Sequence, residues 1–130
     1  MKFQPDQSEG VNIITRHDAH GVWVGKACFG HSLLVPSKGE VRRWAPQRVE
    51  QLQAEHFEGA LSLSPELVIF GSGPRLRFVP AALLRCLIER RIGVETMDTA
   101  AACRTYNVLA SEGRSVLAAL LFEPGADAGN

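Results

Sequence analysis

The sequence predicts an α/β fold with three layers around a mixed, partly parallel sheet and amino-terminal β-hairpins packed as an additional layer. Three observations predict it. From Pro65 to Leu121 the chain reads strand, glycine turn, helix, strand, helix, strand without interruption. The apolar runs at 66–70, 93–97 and 114–121 are bounded by turn residues, and a helix joins the first two, as parallel strands require. Upstream of Pro46 the style changes to short β-rich runs separated by polar turns, the pattern of antiparallel hairpins.

The elements follow in order. Residues 12–16 and 22–29 are β-rich runs around the polar turn His17-Asp18-Ala19-His20-Gly21. A third run, 32–35, ends at Pro36, and Ser37-Lys38-Gly39 turns the chain into 40–44. Pro46 suits the first helical position and opens a helix to about Phe57. Val49, Leu52 and His56 share its inner face, Glu50, Glu55 and Glu58 face water, and Gly59 stops it. A second helix starts at Pro80, with Leu83, Leu84, Leu87 and Ile88 as its apolar stripe and Arg85, Glu89, Arg90 and Arg91 opposite. Arginines in the last turn suit the negative end of the helix dipole, and Gly93 is the expected terminator. The strands at 66–70 and 93–97 are expected side by side, parallel and both central, since neither leaves a wet face. A third helix begins at Asp98 or Thr99, both good N-caps. Its expected inner stripe is Ala101, Ala102, Thr105, Val108 and Leu109, with Cys103 and Asn107 on the far face and Tyr106 at the boundary. Gly113 ends it before Arg114 starts the last strand.

Composition narrows the setting. The chain has 130 residues, 45% hydrophobic and 22% charged, enough for one domain over 1–130 with its core at about 11–122. Residues 1–9 and 124–130 have nothing to pack and are expected to be flexible. Fourteen basic residues balance fourteen acidic ones, so no global field draws in nucleic acid or an anionic membrane. No apolar run approaches the roughly 20 residues that span a bilayer, and the first residues lack the apolar segment of a signal peptide. Cys28, Cys86 and Cys103 are odd in number and lack C-x-x-C spacing, which fits reduced thiols in a cytoplasmic protein.

Ligands of such sheets bind beyond the carboxyl ends of the strands. There the chain carries Gly71-Ser72-Gly73-Pro74 and Met97-Asp98-Thr99. Gly71, Ser72, Gly73, Arg75, Arg77, Asp98 and Thr99 are therefore candidate binding residues, with glycines admitting an anion to the backbone and arginines supplying charge. The opposing reading is a tight strand-to-loop turn. Leu76 stands where G-x-G-x-x-G needs its third glycine, Pro74 removes an N–H donor, and no Gly-Lys-Ser/Thr follows. A carboxylate at a helix start is likewise an ordinary cap.

Arg104, Tyr106 and Asn107 are polar residues on an otherwise alanine-rich helix, either internal ties or a surface for another protein. Glu112 and Arg114 flank a glycine turn and read as a local ion pair. His17-x-x-His20 has no converging acidic or cysteine cluster, so no metal site is expected; His31 and His56 have no evident partner. Ser62, Ser64 and Ser72 lack the G-x-S-x-G setting, and Cys103 beside Arg104 lacks a base. No catalytic residue and no cofactor is expected.

Three segments in register resemble one small domain family. They are Glu66-Leu67-Val68-Ile69-Phe70-Gly71-Ser72-Gly73, the run from Gly93 through Thr105-Tyr106-Asn107, and Glu112-Gly113-Arg114. Leu33-Leu34-Val35-Pro36 and Trp44 are also similar to its pattern, so the resemblance covers about residues 11–122. The family includes mitochondrial respiratory complex I assembly factor 3, an adipogenesis-associated cytosolic protein and many bacterial members. Ser72 departs from it, where relatives commonly have Thr, with the hydroxyl retained. The resemblance implies a three-layer α/β fold around a mixed sheet and no established enzyme activity. The expected function is a non-catalytic protein-interaction or assembly module, linked by resemblance to respiratory complex biogenesis, with a protein partner. The alternative is a small-molecule or anion-binding protein, enzymes included, using the loops at the strand carboxyl ends.

Overall fold

The computed structural model of the protein describes residues 10–125. The segments expected to be flexible, 1–9 and 124–130 apart from Pro124 and Gly125, lie outside the described residues. The chain runs β1 (Ile14–Asp18), β2 (Gly21–Val24), β3 (Ala27–Phe29), β4 (Leu33–Pro36), β5 (Arg42–Arg43), α1 (Ala54–Leu61), β6 (Leu67–Gly71), α2 (Arg85–Glu89), β7 (Gly93–Met97), α3 (Thr99–Ser111) and β8 (Val116–Leu120). Short 3-10 turns at Val49–Gln51 and Ala81–Leu84 precede α1 and α2.

The main sheet is mixed and has five strands in the order β5-β4-β8-β6-β7. β6 is parallel to both β7 and β8, and β4 runs antiparallel to β8. Consecutive residues of a strand face opposite sides, so β6 and β8, apolar throughout, feed two cores. Val68, Phe70, Leu117 and Ala119 meet Trp44, Phe57 and Leu87 under α1 and α2. Trp44, Phe57 and Phe70 pack edge-to-face there, with ring centroids 5.6–6.2 Å apart. On the other side Ile69, Ala118 and Leu120 meet Ala102, Tyr106 and Ala110 of α3, together with Ile14, Val22 and Val24 of the small β1-β2-β3 sheet.

Several expectations are corrected. The parallel β6–β7 pair forms in register from Leu67↔Gly93 to Gly71↔Met97, but β7 is an edge strand. β8 occupies the other side of β6, which leaves β7 one neighbour and Glu95 exposed. Residues 22–29 divide into β2 and β3 at Gly25, whose φ of +59° suits glycine. The β4–β5 hairpin extends the main sheet instead of joining the additional layer. The helix expected from Pro46 breaks at Leu52, which is extended, and α1 restarts after Gln53, whose N–H donates to His56 Nδ1 at 2.9 Å. Gly59 lies inside α1 and does not stop it. Arg91, not Gly93, takes the left-handed position after α2, with φ +60°, and the Ile92 N–H returns to the Leu87 carbonyl at 2.9 Å. Ile88 points outward. The buried face of α3 is Thr99, Ala102, Cys103, Tyr106 and Ala110, an i, i+3, i+4, i+7, i+11 stripe, whereas Val108 is exposed.

Candidate functional site

The connection leaving β6 crosses one face of the sheet through α2, and the one leaving β7 crosses the other through α3. Adjacent strands whose connections part in this way open a crevice at their carboxyl ends, where open α/β sheets bind ligands. Here hydrogen bonds cross between the segments that leave the two strands. The Ser72 N–H donates to the Met97 carbonyl at 2.8 Å, and the Thr99 N–H to the Gly73 carbonyl at 2.8 Å. The Gly73 N–H donates to Thr99 Oγ1 at 2.9 Å, and that hydroxyl donates onward to the Leu121 carbonyl at 3.0 Å. A Cβ on Gly71 would lie 3.0 Å from Thr99 Cα, so glycine is what lets the start of α3 close on β6.

The backbone of the expected anion cradle is already engaged. The N–H groups of Ser72 and Gly73 are spent inside the fold. Ser72 Oγ donates to the Arg75 carbonyl at 2.6 Å and accepts the Arg77 N–H at 3.0 Å, closing a tight loop. Asp98 caps α3, its Oδ1 accepting the Ala101 N–H at 2.8 Å.

Two shallow hollows flank Gly73-Pro74. One, of about 250 Å³, opens at the carboxyl ends of β6, β7 and β8 and is lined by His17, Gly73, Pro74, Asp98, Thr99 and Phe122. The other, of about 240 Å³, is lined by Arg48, Glu50, Arg75, Arg77 and Glu123. Arg77 pairs with Glu50 at 2.7 Å and Arg48 with Glu123 at 2.8 Å, so two of its three arginines are already neutralised. The Glu50 carboxyl is held below its ordinary range by its own backbone N–H and then by Arg77. Among the described residues no ion pair engages Arg75.

Arg104, Tyr106 and Asn107 do not assemble into the expected contact surface. Tyr106 is wholly buried, its hydroxyl donating to the Asn12 carbonyl at 2.7 Å. Asn107 Oδ1 accepts the Ile14 N–H at 2.9 Å while its Nδ2 donates to the Ile14 carbonyl at 2.7 Å. Asn107 ties β1 to α3, and Tyr106 ties α3 to the segment before β1 and to Pro36 of β4; of the three, Arg104 alone faces outward. Cys103 is buried too, and burial pushes its thiol up to about 12, so no thiolate nucleophile forms at neutral pH. Arg114 pairs not with Glu112 but with Glu66 at 2.8 Å. No group of three or more His, Cys, Asp or Glu side chains converges on a metal position among the described residues. None of their helices is long and apolar enough to cross a membrane.

Leu76 and Phe78 were missed at the sequence level. They are exposed between Pro74 and Pro80, and their signal was an Arg-Leu-Arg-Phe alternation belonging to no helix or strand.

A family model described as a protein of unknown function, DUF498/DUF598, matches residues 14–121. A relative from Bos taurus named NADH dehydrogenase (ubiquinone) 1 alpha subcomplex assembly factor 3 is 36% identical over 106 residues, 80% of this chain and 56% of its own. The chain thus spans little more than half the length of that relative. A crystal structure of a Bordetella parapertussis protein superposes with a TM-score of 0.83 at 34% identity, covering 89% of this chain and 99% of the other. A solution structure from Bordetella pertussis, described as an Mth938-like domain, superposes with a TM-score of 0.82 at 29% identity, covering 98% and 94%.

Proposed function

From the premise that the chain belongs to the DUF498/DUF598 family, we propose that it is a non-catalytic, protein-binding module that acts in the cytoplasm in the assembly of a respiratory complex. The observation that carries this reading is the hydrogen bonding between the loops at the carboxyl ends of β6 and β7. The backbone groups at the carboxyl ends of β6 and β7, where a sheet of this topology would hold a substrate, are spent on hydrogen bonds with each other. In the hollows beside them Asp98 caps a helix, and Arg48, Glu50, Arg77 and Glu123 pair with each other. The name of the Bos taurus relative supports assembly as the role and a respiratory complex as its object.

Deleting the gene in the native host and measuring assembled NADH:ubiquinone oxidoreductase on native gels tests the reading. The expected result is loss of the full complex, restored by the wild-type chain and equally by Cys103→Ser. An unchanged complex in the deletion strain would overturn the assembly role, and a turnover activity lost with Asp98→Asn would overturn the non-catalytic one.

A further inference from the structure

We propose that the loop joining β6 to the Ala81–Leu84 turn docks into an apolar, acid-rimmed cleft on a partner protein, with Phe78 and Leu76 as the inserted side chains. The proposal rests on the assembly reading and names its contact surface. Phe78 is 72% exposed and Leu76 is 52% exposed, one residue apart between Pro74 and Pro80. Isolated exposed hydrophobics are commonplace. These two stand on a loop that the fold holds in place. Ser72 Oγ clasps the Arg75 carbonyl and the Arg77 N–H, and the Arg77 guanidinium is fixed by Glu50 at 2.7 Å. A loop ordered before binding loses little conformational freedom on docking, which raises affinity at constant contact area. Aromatic anchors beside arginine are also the side chains that dominate binding energy.

Charge identifies the partner's chemistry. Residues 74–91 carry five arginines, at 75, 77, 85, 90 and 91, against the single acid Glu89, within a chain of net charge +0. Leu83, Leu84 and Leu87 turn toward the core, so Arg85 and Ile88 face outward, and Arg90 and Arg91 are exposed at the end of α2. The complement is a cleft whose apolar floor receives Phe78 and whose rim is acidic. A bilayer surface fits less well. The loop is short and irregular, not an amphipathic helix, and the carboxylates of Glu50 and Glu123 at its base would meet anionic headgroups.

The test places p-benzoylphenylalanine at position 78 of the full chain, irradiates the native host, and identifies the cross-linked peptide by mass spectrometry. The same probe at Val108, 55% exposed on α3 in the opposite layer, is the control. The expected result is a product from position 78 and not from 108, within a partner segment rich in Asp and Glu around apolar residues. Arg75→Glu combined with Arg90→Glu should lower its yield by about tenfold. A cross-link to a second copy of this chain, to a segment without acidic excess, or to the same peptides from both positions overturns the proposal, as does no cross-link. Co-sedimentation with equimolar phosphatidylcholine–phosphatidylglycerol vesicles that depends on Phe78 also overturns it. Phe78→Ser should leave the melting temperature unchanged and fail to rescue the deletion strain. Full rescue by Phe78→Ser sinks the docking loop and leaves the assembly role standing, whereas an unchanged complex in the deletion strain sinks both.

Discussion

Asn107 does with one side chain what a neighbouring strand would otherwise do, accepting from and donating to the same backbone residue, Ile14. Asn107→Ala therefore strands two backbone groups and should cost about 2–3 kcal/mol in urea denaturation. Tyr106→Phe keeps the ring in its cavity and loses only the hydroxyl, shared between the Asn12 and Pro36 carbonyls, so its cost should be nearer ~1 kcal/mol. Equal, negligible losses would show that these ties are not holding the amino-terminal strands to α3. Their residue types were legible as polar features of an alanine-rich helix, but whether they point inward or outward was not. That choice depends on β1 lying beside α3, a neighbour 93 residues away along the chain for Asn107. Cys103 shows the same dependence, since proximity to Arg104 suggests activation while burial outweighs it. At pH 8, iodoacetamide should modify the exposed Cys28 and spare Cys103 until the protein is unfolded. Rapid native labelling of Cys103 would contradict the packing of α3.

At the scale of elements, glycine separates local from tertiary demands. Gly59 sits in α1 with open space where a Cβ would be, so Gly59→Ala should stabilise the protein by about 0.5–1 kcal/mol. Gly71→Ala places a methyl 3.0 Å from Thr99 Cα and 3.1 Å from Ala102 Cβ, and should cost about 1–3 kcal/mol by pushing α3 off β6. Thermal melts of the two variants should move in opposite directions, and a shared direction would refute the account. Both glycines lie where local sequence favours a stop. Turn chemistry cannot distinguish a terminator from a residue tolerated inside a helix or from one required by close packing. The same ambiguity produced Gly93 as the expected end of α2, when the shape of the last turn let Arg91 take the left-handed position.

Across the whole molecule, burial of Cys103 and Tyr106 makes stability depend on alkaline pH. Both groups titrate higher when folded, Cys103 at about 12 against an ordinary 9.0, so the unfolded chain releases protons first. Stability should hold below pH 9 and fall as pH rises toward 12, as followed by chemical denaturation at successive pH values. A flat profile over that window would mean that neither group is buried in solution. The hydrogen bonds between the strand-end loops make a second molecule-wide expectation. In a phosphate titration followed by amide NMR, Ser72 and Gly73 should not shift, since their N–H groups already have partners at 2.8 and 2.9 Å. Saturable shifts at those two amides would reopen the anion-binding alternative.

The sequence alone determined the α/β class, the parallel β6–β7 pair, the start of α3 at Asp98 and the position of the loops at the strand ends, because periodicity, capping and turn chemistry act over a few residues. Tertiary structure decided the rest. β7 became an edge because α3 carries the chain back to the far side of β6, and strand order depends on where long connections land. At the glycine loop, Met97 and Thr99, remote in sequence, take up the donors of Ser72 and Gly73, a pairing only the folded chain brings about. Leu76 and Phe78 stay exposed while Phe70, Val79 and Leu87 are buried, a sorting set by which elements pack over each position and recorded in no local pattern.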